Sequence, residues 1–335
     1  MSAFVSRSTK ASRIALPIAF ILAGILVAAP FWGQTSTLRL LGEMMIYLAL
    51  ASLWNLLAGY TGLVSVGQQA YVGIGMFAVV VCTVLLGIHP LIAFPLAGLS
   101  AVITALFVGK LVFRLQGAYF AIGTWVVAEV FRLLTSTTGA LGGGSGISIP
   151  TPMIKAIAVD KFWREATIYW FALMLGIGAL ALVYTLLRSR VGLALTAIRD
   201  SEVASSSLGV NIEKIKFGVY VAVAGMTAMV GSLIALQKIR VSPDSAFSVN
   251  DWTAIVIFIV VIGGIGTIEG PIVGTIVYFL LREFLADLGS VYLMILGAVA
   301  ISTMLLAPKG IWGYVAQRWN ISLFPTGYVV KEKSE

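Results

Sequence analysis

Long stretches almost free of charge recur along this chain, and that pattern leaves few folds open. From Ile14 to Trp32 there is no ionisable side chain. Comparable runs follow at roughly 40–58, 63–87, 91–109, 117–135, 166–187, 217–236, 253–268, 271–286 and 289–307. Each is near the ~20 residues that a helix needs to cross a hydrocarbon core. Of the 335 residues, 59% are hydrophobic and 11% charged, against about half and about a quarter in ordinary soluble domains. A water-soluble fold would leave the surplus apolar surface in water, whereas a bilayer accepts it. The expected fold is all-α: a polytopic integral membrane protein of about ten transmembrane helices, the spans satisfying their backbone groups internally.

Basic residues set the orientation of such a chain. Arg7, Lys10 and Arg13 precede the first run, and Lys110 and Arg114 follow the fourth. Arg188, Arg190, Arg199, Lys214 and Lys216 separate the sixth from the seventh, and Lys309, Arg318, Lys331 and Lys333 lie near the end. An N-in, C-in topology puts most of the 22 basic residues inside. It divides the chain into a cytoplasmic N-terminus (1–13), a transmembrane domain (14–307) and a cytoplasmic tail (308–335). Within the transmembrane domain lie an outer loop (136–165) and a cytoplasmic loop (188–216). Val27-Ala28-Ala29 resembles a cleavage site, but the run before it exceeds the ~7–15-residue apolar core of a signal peptide; a retained span is expected.

The net charge of +8 comes in small groups rather than in a basic block interleaved with aromatics. The expected surroundings are membrane lipid, not nucleic acid. One cysteine, Cys82, and one histidine, His89, provide no disulfide framework, metal cluster or nucleophile–base pair. No cofactor and no catalytic residue are expected. No G-x-x-x-x-G-K-[ST] loop is present, so the chain does not hydrolyse ATP in the P-loop manner.

Glycine density interrupts the helical pattern in three places. One runs from Gly59 through Gly62 and Gly67 to Gly73 and Gly75, a second from Gly263 through Gly264, Gly266 and Gly270 to Gly274, and a third from Gly139 to Gly146. Broken backbone at membrane depth survives only where protein or a water-filled cavity satisfies it. The first two interruptions are therefore candidate pathway elements: Asn55, Gly62, Gly67, Gln68 and Gln69 around one, Gly263, Gly266 and Glu269 around the other. The polar groups have two readings at this point, lining a pathway for a zwitterion or bonding helix to helix. Glu129 and Arg132, spaced i,i+3, read as an internal pair.

In the cytoplasmic loop, Asp200 or Ser201 can cap a helix, Glu202 suits its positive end and Gly209 can end it. A helix of about eight residues is expected there, with Val203, Ala204 and Leu208 as a small apolar surface. Either it is a connector on the membrane face or it docks on another protein.

The same loop carries a family resemblance. Thr196-Ala197-Ile198-Arg199, Asp200-Ser201-Glu202, Val203-Ala204-Ser205 and Leu208-Gly209-Val210-Asn211 resemble the cytoplasmic loop of branched-chain amino acid ABC permeases of the LivM type. Further similar segments are Trp54 to Gln68, Arg114 to Ile122, Gly263 to Pro271 and Pro308 to Gly313, in the family's order. Gln68-Gln69 and Tyr71 depart from the family's usual His/Gln-Ala and Phe.

The resemblance implies a transport subunit, not an enzyme, in a bacterial inner membrane. It further implies a second related permease, two cytoplasmic ATP-binding cassette subunits and an extracytoplasmic substrate-binding protein. Arg199, Asp200, Glu202, Leu208 and Gly209 would couple to the ATPase, and amino acids would be the solute. Urea, short amides or organic acids are the alternative cargo. An ATP-independent secondary transporter is the alternative class, although the near absence of charge at mid-span disfavours it.

Overall fold

A computed structural model describes residues 3–6, 9–285, 291–319, 321, 323–325 and 329–332. The described chain is helical almost throughout. In order come α1 (Lys10–Val27), α2 (Thr35–Asn55), α3 (Gln68–Val80), α4 (Pro90–Val112), α5 (Ala118–Thr137), α6 (Thr151–Ile157) and α7 (Lys161–Arg188). They are followed by α8 (Arg190–Asp200), α9 (Glu202–Ser207), α10 (Ile212–Lys238), α11 (Pro243–Ala246), α12 (Ile255–Gly263), α13 (Glu269–Leu285), α14 (Val291–Leu306) and α15 (Gly310–Trp319). Wider π-helical turns extend α2 to Tyr60 and α3 to Leu85, and another, Asn250–Ala254, leads into α12.

Among the described residues, eight helical stretches are long and apolar enough to cross a bilayer. The expectation of about ten included two that are shorter. One is in α1, where the apolar stretch is Ala11–Val27; the other is α13, 17 residues with Glu269, Arg282 and Glu283 in it. The last expected run begins at 289, outside the described residues, and its helix is seen from Val291.

Local chemistry explains where the helices start. The Asp160 carboxylate accepts from the amide of Phe162 at the head of α7, and the Asn211 side chain accepts from Lys214 N at the head of α10, both at 3.0 Å. His89 caps α4 by accepting from Leu91 N, directly before Pro90, which needs no amide partner at that position.

α2 and α10 lie at the centre, with 78% of their spanning windows buried, whereas α5 has only 17% buried and lies at the periphery. The crossing of α3 and α10 is close because a side-chain carbon at Gly75 or Gly231 would collide with the facing backbone of Ala228 or Val72. Small residues let membrane helices approach in this way.

Two short antiparallel ladders tie distant parts of the chain. β2 (Ile147–Ser148) and β3 (Arg240–Val241) join the 136–165 loop to the end of α10. β1 (Ala3–Ser6) pairs with β4 (Val329–Glu332), which brings these two distant segments together.

Candidate functional site

The two glycine interruptions meet. Asn55, 1% exposed, stands at the end of α2 where the helix widens. Its Oδ1 accepts from Gly266 N at 2.8 Å and its Nδ2 donates to Thr267 O at 2.7 Å. One side-chain amide thus satisfies two backbone groups of a non-helical segment that no helix would satisfy. Gly59 lies against the same segment, where a side-chain carbon would stand 2.6 Å from Gly266 N. Gly263 is closed by Gly270 and Gly274. Gly62 has open space around it; its φ of +72° is what calls for glycine there, and Gly266 shares the requirement at +75°. Gly67 packs on the carbonyl of Thr124, whose hydroxyl accepts from Val66 N at 3.1 Å, so the first interruption is fastened to α5.

Gln68 and Gln69 are buried in the bundle. Gln68 Nε2 donates to Leu50 O at 3.0 Å, and Gln69 Oε1 accepts from the Thr253 hydroxyl. Each side chain thus makes one bond to a neighbouring element, while Gln68 Oε1 and Gln69 Nε2 have no partner among the described residues. Tyr71, the other departure from the family pattern, sits with its hydroxyl 2.7 Å from that of Tyr220. Beside them is a cavity of about 10 Å³ lined by Trp54, Gln68, Tyr71, Tyr220 and Thr227, room for about one water. Gln68 Oε1 and Thr227 Oγ1, both without a partner among the described residues, are polar groups that such a water would satisfy.

Glu269 is buried, and its Oε1 accepts from Leu323 N and Phe324 N at 3.1 and 3.0 Å. It ties down the chain's own tail. Glu129 and Arg132 pair as the spacing indicates, and Arg132 also reaches Asp244 on α11 at 2.6 Å.

Three further contacts carry no local sequence signal, since none joins residues within one or two turns of a helix. Arg39 pairs with Glu165 at 2.5 Å and Glu43 with Arg282 at 2.7 Å. Lys238 lies over the Trp252 ring at 4.9 Å from its centroid.

The 188–216 loop differs from the single helix expected. Asp200 ends α8, and Ser201 alone separates it from α9, capping α9 by accepting from Ala204 N at 3.2 Å. Ser189 similarly joins α7 to α8. Gly209, with φ +80°, ends α9, and Val210 N returns to Ser205 O at 3.1 Å, the αL ending that glycine permits. α8 buries Leu195 and Ile198. Arg199 and Asp200 form an exposed pair at 3.4 Å. Glu202 contacts Lys216 on α10 at 2.5 Å. Val203 and Leu208 are 80% and 81% exposed.

The family model for the permease component of branched-chain amino acid transport systems matches residues 36–307, which hold both glycine interruptions and the whole 188–216 loop. The chain belongs to this family. The permease is 30% identical to the high-affinity branched-chain amino acid transport system permease protein LivM of Escherichia coli (strain K12), over 92% of this chain and 76% of that one. It is 26% identical to the probable branched-chain amino acid transport permease protein LivM of Methanocaldococcus jannaschii, over 51% of this chain and 49% of that one. The ribose import permease protein RbsC of Escherichia coli (strain K12) is 28% identical over 49% of this chain and 46% of its own length. No solved structure matches the chain. The permease is an all-α membrane transport protein of the ABC type.

Proposed function

We propose that this permease forms half of the translocation pathway of an ABC importer for hydrophobic amino acids in a bacterial inner membrane, a second related permease forming the other half. Two cytoplasmic ATP-binding cassette subunits supply the energy, and an extracytoplasmic binding protein delivers the solute.

The observation that carries this reading is α9. Its cap, its glycine ending and its one-residue link to α8 hold it rigidly, yet Val203 and Leu208 stand almost fully out of the protein. Fully burying such side chains is worth ~1.5–3 kcal/mol each, a gain open to a partner that covers them. Because α8 and α9 hang between α7 and α10 on short tethers, a push on this face passes into two spans rather than being absorbed by a slack loop.

The test is reconstitution with the partner subunits in vesicles, followed by uptake of labelled leucine, ribose and urea. ATP-dependent leucine uptake is expected. Uptake of ribose or urea with none of leucine would overturn the solute, and leucine uptake unchanged without the ATPase would overturn the mechanism.

A further inference from the structure

A cavity of about 240 Å³ opens at the ends of α2, α7 and α10 remote from α9, lined by Arg39, Glu43, Tyr47, Glu165, Lys238 and Trp252 among others. At ~30 Å³ per water, it holds the bulk of one small organic solute. It is smaller than the ~300–1,000 Å³ of drug-sized sites, so a peptide does not fit. Two cations and two carboxylates line it, and their formal charges cancel. A wall of both signs and no net charge favours a solute of the same kind over a simple anion or cation.

The charges are not equally engaged. Arg39 is held by Glu165, and one oxygen of Glu43 by Arg282. Among the described residues, Lys238 has no carboxylate partner. Its ammonium rests instead over Trp252, a contact that positions a cation without neutralising it. The buried rings of Tyr47 and Trp252 stack at 6.2 Å, and the buried side chains of Ile46 and Ile234 continue the apolar wall.

We propose that this cavity binds a small zwitterion with a compact apolar side chain, its carboxylate on Lys238, its ammonium on Glu43 and its side chain against Tyr47 and Trp252. The inference rests on the amino-acid reading above and deepens it, by giving the solute a stopping place inside a single subunit. The shared chemistry of ammonium and acid group also describes a phosphatidylethanolamine headgroup, and the experiment separates the two.

The permease–ATPase complex, without binding protein, is placed in nanodiscs of phosphatidylcholine and phosphatidylglycerol, and binding of L-leucine, leucinamide and 4-methylpentanoate is measured without ATP. Leucine is expected to bind at least tenfold more tightly than either analogue, each of which lacks one charge. Lys238→Gln should weaken leucine at least tenfold and leave leucinamide unchanged, while Lys238→Arg should keep leucine binding. Equal losses for leucine and leucinamide, or leucine binding untouched by Lys238→Gln, would overturn the proposal. So would leucine binding abolished by adding phosphatidylethanolamine, which would assign the cavity to lipid. A complex that imports leucine but fails this binding test leaves the transport reading standing; a complex that imports no aliphatic amino acid removes that reading itself.

Discussion

Glu202 Oε1 lies 2.5 Å from Lys216 Nζ, so the first turn of α9 is fastened to the first turns of α10. Lys216 is buried and Glu202 is more than half exposed. The carboxylate therefore has a structural partner in its own chain and also a face open to another protein. Charge reversal at Glu202 alone would put two cations together and mix the two roles. Glu202→Lys is expected to lower uptake severalfold. If the internal bond is what matters, Glu202→Lys combined with Lys216→Glu should recover most of the loss, as a double-mutant cycle would read it. Uptake that stays lost in the pair assigns Glu202 to the partner surface.

Leu208 isolates the docking role, since its side chain is almost fully exposed and has nothing to lose within the subunit. Leu208→Glu should leave insertion and thermal stability unchanged, within ~0.5 kcal/mol. Co-purification of the ATPase should fall at least tenfold. A complex that forms normally would remove α9 from the interface.

Asn55→Leu keeps the bulk of the side chain and removes both of its bonds. Gly266 N and Thr267 O would then lose their partner in a part-buried place, where each group costs up to ~1–3 kcal/mol when fully shut from water. Thermal unfolding in detergent should begin several degrees lower, with uptake reduced. Unchanged melting would mean that the interruption is held by its glycine contacts alone.

Thr227→Val replaces an unpartnered buried hydroxyl by a methyl of similar shape, and such exchanges are close to neutral. Stability is expected to stay within ~1 kcal/mol of the parent, measured by the same thermal assay. A clear loss would show that a bound water uses Thr227 Oγ1 as well as Gln68 Oε1.

For topology, single cysteines at Ser148 and Ser206 in a chain with Cys82 replaced should react from opposite sides with an impermeant reagent. Ser206 is preferable to Ser201, whose hydroxyl caps α9. Equal labelling of both in intact cells would refute the N-in, C-in arrangement.

The apolar runs and the glycine clusters were legible because both are local: a run of ~20 apolar residues states its own length requirement, and Gly209 marks a helix end wherever the chain goes next. The α8–α9 division was not, because Asp200 and Ser201 are adjacent and either can cap; only the backbone shows that Ser201 turns the chain. The roles of Gln68 and Gln69 were open for a different reason. The bonds that these buried amides make depend on Leu50 and Thr253, and nothing at positions 68–69 names them. The cavity was hidden likewise, since its lining comes from α2, α7, α10 and the turn before α12, which are far apart in the chain.

The Asn55 amide meets its two partners across 211 and 212 residues of chain, and this separation orders assembly in time. α2 is made long before Gly266 and Thr267 exist. In hydrocarbon, each unsatisfied polar group costs several kcal/mol, so an early α2 is held from its final depth until the later half arrives. With Asn55 kept and Cys82 replaced, chains stalled before residue 255 should leave a cysteine at buried position 52, one turn earlier on α2, open to an aqueous reagent, and full-length chains should shield it. Insertion of the two halves is then not a sequence of independent events: the later helices release α2 to settle.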